Sequence, residues 1–245
     1  AVGLVEAQGV VGSEFEEALV LARAAEIAVA GAGNPPLIRA ALQSAYARLL
    51  YVAGRPDEGL ARVREALDAL EQLGPQARPE LGDVLQLHAT LLYQKGRIDE
   101  AAGFLERAVE VRRELLGAEH PALAQSKVLQ GALLLARGDA AAARAAFEEA
   151  AQIQRRALGA GHQDYGRTLG NLGTALRVQG ELEQARARME ESLSVLEGSL
   201  PSTDPRVIGV RSNLASLQHE LGDAAAAERA YREVIAAQRE VLGDQ

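Results

Sequence analysis

The chain has 245 residues, a formal net charge of −8 and no cysteine, which excludes disulfides and thiolate metal sites. The acidic balance argues against a nucleic-acid partner, because such proteins usually present a basic surface. Hydrophobic residues make up 48% of the chain and aromatic residues only 3%. The core must therefore be aliphatic, and no apolar run reaches the roughly 18–20 residues of a membrane helix.

The first 33 residues form a leading segment that does not follow the pattern of the rest. Residues 1–12 show no clear repeat, and Ser13 with Glu16 has the spacing of a capping box. We predict a helix from Ser13 to about Val29, ended by the Gly- and Pro-rich stretch 31–36. Residues 1–33 are interpreted as an incomplete leading repeat.

From residue 34 to residue 245 one pattern recurs five times, and a period of 20–50 residues is typical of a solenoid. The pattern is marked by a hinge glycine at intervals of 42 residues: Gly54, Gly96, Gly138, Gly180 and Gly222. A first helix is predicted to end at each hinge and to begin near Pro36, Pro79, Pro121, Gln163 or Pro205. A second helix follows and ends at a Leu-Gly pair, or at Leu200-Pro201 in the fourth repeat. We predict ten paired helices in one continuous solenoid domain.

Aligning the repeats on the hinge glycine identifies the positions of close packing. Small side chains recur seven residues before the hinge and five and twelve residues after it. Nine residues after the hinge stand the larger side chains Val63, Leu105, Phe147, Met189 and Tyr231. Alternating small and large side chains predict an interdigitated core.

These positions resemble the tetratricopeptide repeat, whose usual unit has 34 residues. The longer unit, the phrase Leu116-Gly117-Ala118-Glu119-His120-Pro121 and the phrase Asn171-Leu172-Gly173 are similar to the kinesin-light-chain variety. The resemblance covers about residues 34–243 and implies an all-α, right-handed α-solenoid of antiparallel helix-turn-helix hairpins. Gln163 departs from the family pattern by replacing proline, and Gln218 by replacing an aromatic residue or leucine.

No catalytic motif is found, so we expect no enzyme activity, no cofactor and no metal. His120 and His162 are loop histidines at the same position of neighbouring repeats, and we predict that they brace the turn before the next helix. No two histidines have the i, i+4 spacing of a helical zinc site.

The resemblance implies that the first helices line a concave groove, where helical spacing selects the side chains that face a ligand. The predicted peptide-binding residues are Arg48, Tyr51, Gln86, Thr90, Tyr93, Arg167, Asn171, Thr174, Arg177, Asn213, Ser216 and His219. Ser44, Asp83 and Ser212 share this face. The third repeat contributes Gln125, Val128, Ala132 and Leu135, an apolar middle.

Asn171 and Asn213 recur one repeat apart, and a side-chain amide can donate to and accept from a peptide backbone. Arg167 and Arg177 flank Asn171 and favour an acidic partner. We therefore expect a non-catalytic protein–protein interaction module that binds a peptide or protein segment, with no nucleic acid and no membrane as partner.

Two alternatives stay open at this point. One is a regulatory or sensor arm of a larger kinase, protease or nucleotide-switch protein. The other is a structural domain that self-associates through the apolar last helix at Val234, Ile235 and Val241. The chain starts without methionine, so we interpret it as a piece of a longer protein. Its use of arginine far more than lysine favours a bacterial source, and we expect a cytoplasmic location.

Overall fold

The computed structural model describes the backbone of residues 2–74 and 78–242 and the side chains of residues 17–74 and 79–241. Every regular element in these ranges is an α-helix. The helices are α1 (Val2–Gly31), α2 (Pro36–Val52), α3 (Pro56–Leu73), α4 (Arg78–Gln94), α5 (Ile98–Leu116), α6 (Pro121–Ala136), α7 (Ala140–Leu158), α8 (Gln163–Val178), α9 (Leu182–Glu197), α10 (Pro205–Glu220) and α11 (Ala224–Leu242). The predicted class, all-α with a solenoid of helical hairpins, is confirmed. None of the helices in the described ranges is long and apolar enough to cross a membrane.

The chain divides into two compact units, which are essentially Leu4–Ala118 and Glu119–Gln245. In the first unit α2 to α5 pack each on the next, and in the second unit α6 to α11 do the same. The first helices of neighbouring hairpins also approach one another directly: α2 with α4, α6 with α8 and α8 with α10. The second helices approach one another less. We call the side on which first helices meet the first-helix face of each unit.

A glycine in the left-handed region closes the first helix of every hairpin. The five predicted hinges have φ between 68° at Gly54 and 84° at Gly222, a conformation that costs a residue with a side chain about 1–2 kcal/mol. At Gly138 the chain then reverses: the Gly138 N–H donates to the Leu135 carbonyl and the Asp139 N–H to the Leu134 carbonyl, both at 2.9 Å. The Asp139 carboxylate accepts from the Ala142 N–H at 3.0 Å and so caps α7.

The predicted small positions are all buried, and the large side chains pack directly onto them. A Cβ atom built on Gly131 would lie 2.5 Å from the ring of Phe147, and one built on Gly173 would lie 2.6 Å from Cγ of Met189. Phe147 and Met189 are each 1% exposed. Glycine at these positions of α6 and α8 is therefore required by the bulk of the side chain that packs on it from the next helix.

Tyr231 is the exception to this packing and corrects the prediction. It stands at the position of Leu105 in the last repeat, yet it is 39% exposed, whereas Leu105 is 2% exposed. Its counterpart seven residues before the hinge is Ala215, and an alanine leaves too little room for a ring to insert as Phe147 does. The Tyr231 hydroxyl instead lies 3.0 Å from Oγ of Ser216.

Two predicted boundaries are wrong. Helix α1 runs from Val2 to Gly31 without interruption, so Ser13 lies inside a helix and not at its N-cap; its side chain is outside the described residues. Helix α9 ends at Glu197, with Gly198 as its C-cap, and not at Leu200-Pro201.

Candidate functional site

The turn before α8 positions the first-helix face of the unit Glu119–Gln245. Nδ1 of His162 accepts from the Asp164 N–H at 3.1 Å, and Nδ1 of His120 accepts from the Ala122 N–H at 3.2 Å. Both histidines therefore cap the helix that follows, which confirms their predicted bracing role. Helix α8 starts at Gln163, directly after this cap.

Two predicted site residues of this unit, Asn171 and Asn213, carry side-chain amides on the first helices α8 and α10. Asn171 on α8 is half-buried and Asn213 on α10 is exposed. Within the described residues, neither side chain has a hydrogen-bond partner. Each amide thus keeps two N–H donors and one carbonyl acceptor for a ligand, on two helices that approach each other directly.

The hydroxyls beside these amides are already used within their own helices. Oγ1 of Thr174 donates to the Gly170 carbonyl at 3.2 Å, and Oγ of Ser216 donates to the Ser212 carbonyl at 3.1 Å. A hydroxyl that donates to the preceding turn keeps only its lone pairs for a partner. Thr174 and Ser216 can therefore accept from a ligand but do not offer it a hydrogen.

The arginines of this face are paired with carboxylates. Nε of Arg177 lies 3.3 Å from Oε1 of Glu220, and Nη2 of Arg167 lies 3.4 Å from Oδ1 of Asp164. Such partly exposed pairs contribute about 0.2–1 kcal/mol, so a carboxylate from outside can compete for either guanidinium. The exposed His219 lies in the last turn of α10 beside Glu220.

The unit Leu4–Ala118 carries the other predicted residues on α2 and α4. Arg48 is exposed, and Tyr51 and Tyr93 are exposed by 38% and 37%. Oγ1 of Thr90 donates to the Gln86 carbonyl at 2.9 Å. Ser44 is buried and its hydroxyl donates to the Ala40 carbonyl at 2.8 Å, so this residue does not belong to an accessible face.

Family models decide the classification. A tetratricopeptide repeat model matches residues 38–114, 80–150 and 123–198, and a second model of the same description matches residues 207–245. The chain belongs to the tetratricopeptide repeat family. Proteins of this family are interaction modules built from repeats, and that is the class of this chain. No curated protein matches the sequence.

Solved tetratricopeptide structures share the fold. BtubC (BKLC) from P. vanneervenii has a TM-score of 0.79 at 23% identity, over 94% of this chain and 93% of that chain. A putative kinesin light chain from Podosopora anserina, with nearly identical repeats, has a TM-score of 0.68 at 21% identity, over 83% and 97%. A Rap protein complexed with competence and sporulation factor has a TM-score of 0.72 at 13% identity, over 85% of this chain and 56% of that chain. At these identities the likeness establishes the fold alone.

A buried charge lies behind the first-helix face of the tetratricopeptide unit Leu4–Ala118. Arg112 on α5 is 5% exposed; its Nη2 lies 2.6 Å from Oδ1 of Asp83, and its Nη1 donates to Oε1 of Gln86. A Cβ on Gly82 would lie 3.1 Å from Cγ of Arg112, so the glycine makes room for it. Gln86 is thus held by the protein itself, an arrangement that the sequence did not predict. The sequence signal for this arrangement was Arg112 itself, a charged residue at the repeat position that Leu70 occupies in the preceding repeat.

A cleft opens in the tetratricopeptide unit Glu119–Gln245 between α7, α8 and α9, with a volume of about 260 Å³. Its lining residues are Arg144, Glu148, Ala151, Gln152 and Arg155 from α7, Tyr165, Leu169, Leu172 and Leu176 from α8, and Gln184 and Arg188 from α9. We call it the arginine cleft. Sequence reasoning missed it because its arginines come from two helices and share no repeat position. Within the described residues no group of three or more histidine and carboxylate side chains is placed to hold a metal ion.

Proposed function

We propose that this tetratricopeptide array binds an extended segment of a partner protein on the first-helix face of the unit Glu119–Gln245, without catalysing a reaction. The observation that carries the proposal is the pair of unpartnered amides at Asn171 and Asn213. An extended peptide has backbone N–H and C=O groups without partners at every residue, and a side-chain amide can satisfy both kinds. Two such amides one repeat apart can hold a peptide backbone without demanding one sequence.

Helix α6 gives this face an apolar region beside the amides. Val128, Ala132 and Leu135 are half-buried there, so an apolar side chain of the partner finds contact area. The Rap protein solved with competence and sporulation factor supports the proposal, because that protein of the same fold holds a bound factor.

An acidic side chain in the partner is part of the proposal. A ligand carboxylate beside Asn171 can take the place of Glu220 on Arg177, since the existing pair at 3.3 Å is partly exposed and weak. Paired hydrogen bonds from a guanidinium to a carboxylate then fix the register of the segment. On the other unit, Tyr51 and Tyr93 offer aromatic contact area at low entropic cost.

Replacing Asn171 or Asn213 with alanine should weaken peptide binding while the melting temperature stays nearly unchanged. The probe is a library of short capped fluorescent peptides, in which glutamate-containing members have glutamine twins. We expect each substitution to raise Kd about 2–10-fold, the loss of roughly one hydrogen bond. Glutamate members should bind more tightly than their twins.

Ser194→Ala is the matched control, because Ser194 is an exposed polar residue of the second helix α9. It should leave Kd unchanged. The proposal would be contradicted by peptides whose Kd is the same for both asparagine variants as for the parent chain, but whose binding is abolished by substitution of second-helix residues.

Self-association is a second candidate that one observation favours. Ile235 and Val241 on α11 are exposed by 48% and 59%, whereas Leu67 and Ala151, at the repeat position of Ile235, are exposed by 6% and 7%. Val234 does not belong to this patch, contrary to the sequence prediction, because it is 6% exposed. The exposed pair leaves apolar area that a second copy of the chain can cover.

The Ile235→Glu variant should remove association, because a carboxylate would then have to be buried in the contact. Light scattering at increasing concentration should show mass growth for the parent chain and a constant mass for the variant. Ala236→Glu, an exposed change on the same helix, should keep the association. A parent chain whose mass does not change with concentration would refute self-association.

A further inference from the structure

We propose that the arginine cleft is a second binding site, separate from the first-helix face, and that it takes the carboxylate side chain of an acidic segment of a partner protein. The cleft has helix α8 at its base and the second helices α7 and α9 as its walls. It lies entirely within the unit Glu119–Gln245.

The cleft and the amides use different sides of α8. Tyr165, Leu169, Leu172 and Leu176 line the cleft, and their spacing of four, three and four residues defines one helical face. Asn171 does not line the cleft, and it is rotated by about 100° from its neighbour Leu172 and by about 160° from Leu169, at 3.6 residues per turn. One helix can therefore serve two ligands.

The charges of the cleft leave one guanidinium available. Within the described residues Arg155 has no ion pair, whereas Nε of Arg144 lies 2.8 Å from Oε1 of Glu148. Nη1 of Arg188 lies 2.8 Å from Oε2 of Glu191, and Oε1 of the same glutamate accepts from the Tyr165 hydroxyl at 2.9 Å. Both oxygens of Glu191 are thus engaged by Arg188 and Tyr165, and no carboxylate of the described residues forms an ion pair with Arg155.

The equivalent space between α9, α10 and α11 is filled by the chain itself. Arg211 stands there at the repeat position of Leu169, and Glu197 stands at the position of Arg155. The guanidinium of Arg211 forms a salt bridge with Glu197, and its Nε lies 3.5 Å from Oε2 of Glu233. In this space the carboxylates of Glu197 and Glu233 are therefore paired with a cation of the chain itself.

The equivalent space between α3, α4 and α5 is also filled. Phe104 stands at the position of Arg188 and packs against His88, with 3.9 Å between the ring centroids. Glu71 stands at the position of Arg155, and its Oε1 lies 3.3 Å from Nη2 of Arg107. The arginine cleft differs from both counterparts because its α7 wall carries a cation with no internal anion to meet it.

The size of the cleft limits the ligand. A volume of about 260 Å³ is below the roughly 300–1,000 Å³ of a typical cofactor or small-molecule pocket, so it fits one or two side chains. Leu169, Leu172 and Leu176 are at most 4% exposed, so a ligand mainly contacts the polar and charged side chains at the rim of the cleft. A guanidinium binds a carboxylate through two parallel hydrogen bonds, and a glutamate or aspartate side chain of a partner matches both the size and the charge.

The test uses a capped fluorescent peptide of alternating glutamate and serine, its glutamine twin, and sodium glutarate as competitor, on the full chain. We expect the glutamate peptide to bind at least about tenfold more tightly than the twin, which corresponds to a charged hydrogen bond. Arg155→Gln should remove most of that difference, and Arg155→Lys, which keeps the charge but loses the planar fork, should retain part of it. Arg156→Gln is the matched control, because Arg156 is the next residue, lies outside the cleft and is paired with Glu119 at 2.9 Å.

The outcomes separate this site from the first-helix face. Binding lost in Arg155→Gln but kept in Asn171→Ala and Arg156→Gln supports the cleft. Equal binding of the two peptides, or equal losses in Arg155→Gln and Arg156→Gln, overturns it. If Asn171→Ala removes binding and Arg155→Gln does not, the cleft proposal fails while the proposed function stands. If glutarate binds at Arg155 but neither peptide does, the cleft takes small anions only and the proposal of a protein partner is overturned.

Discussion

Replacing Phe147 with alanine should lower the free energy of unfolding by about 3–5 kcal/mol, the range for deleting a buried aromatic ring. The ring is 1% exposed and belongs to the core cluster that includes Leu172, Leu176 and Met189. Its loss removes contacts with α8 as well as with α6, and the close backbone packing of both helices limits how far they can collapse into the space. Urea unfolding of the full chain followed by circular dichroism measures the effect.

The companion substitution Gly131→Ala tests the same contact from the other helix. Its Cβ would lie 2.5 Å from the Phe147 ring, so the ring must move, at a cost of about 1–3 kcal/mol. In the other unit Ala89 and Leu105 hold the same two positions and are both buried. Adding Phe147→Leu to Gly131→Ala should therefore restore part of the lost stability, which a double-mutant cycle reports as favourable coupling.

Gly209→Ala is the matched control for this cycle. Gly209 also lies inside a first helix, α10, but a Cβ there meets nothing within 4 Å. This substitution should raise stability by about 0.5–1 kcal/mol, the usual gain for a helical glycine. If Gly131→Ala is as well tolerated as Gly209→Ala, the ring of Phe147 does not pack on α6 as described.

The repeat framework could be predicted from sequence because it depends on local chemistry. The backbone at each hinge has a positive φ, 82° at Gly138, which residues with a side chain rarely adopt. A glycine is therefore found at every hinge, and the regular spacing of these glycines predicts where both helices of each hairpin lie. The small positions follow from the same register. Register does not decide whether a given large side chain finds room. Tyr231 is exposed, and Ala215 stands at the repeat position where Phe147 packs on Gly131.

The candidate site could be predicted only as a set of positions. Helical spacing placed Asn171 and Asn213 on one face, but the state of each polar group depends on partners from other helices. Glu220, which pairs with Arg177, lies on α10, and Arg112, which holds Gln86, lies on α5. The arginine cleft could not be predicted either, because Arg155 and Arg188 lie on different helices and share no repeat position.

His88 makes the stability of the unit Leu4–Ala118 depend on pH. This side chain is 3% exposed and packs against Phe104. Its Nδ1 has no hydrogen-bond partner within the described residues. Burial first, and then the positive charges of Arg64 and Arg97, lower the pKa of His88 from 6.5 to about 4. The folded chain therefore keeps this imidazole neutral over a range in which the unfolded chain protonates it.

Acidification from pH 6.5 to pH 4 should lower the free energy of unfolding by up to about 3 kcal/mol through His88, because the unfolded state binds the proton and the folded state does not. The loss begins as pH falls through the unfolded pKa of 6.5 and ends near the folded pKa of about 4. His88→Leu, which places at this position the residue found at Leu172 and Leu214, should remove this part of the pH dependence. His219→Gln, a change at an exposed histidine, should leave it intact.

The carboxylates with a lowered pKa contribute at the acidic end of this range and below it. The hydrogen bond from Arg55 lowers the pKa of Glu58 from 4.5, and the hydrogen bond from Arg97 lowers the pKa of Glu100 from 4.5. Their contribution to stability is present above pH 4.5 and is lost as pH falls below it. The hydrogen bonds from Arg206 lower the pKa of Asp204 from 3.8 to about 2. The stability from this group is complete above pH 4 and is lost only as pH falls towards 2.

In urea unfolding at pH 7, 5.5 and 4, the loss between pH 7 and 5.5 reports the histidine, and the difference between the parent and His88→Leu isolates it down to pH 4. If His88→Leu loses as much stability as the parent between pH 6.5 and 4, His88 is not the group that senses acid, and the neutral imidazole packed against Phe104 does not limit stability there.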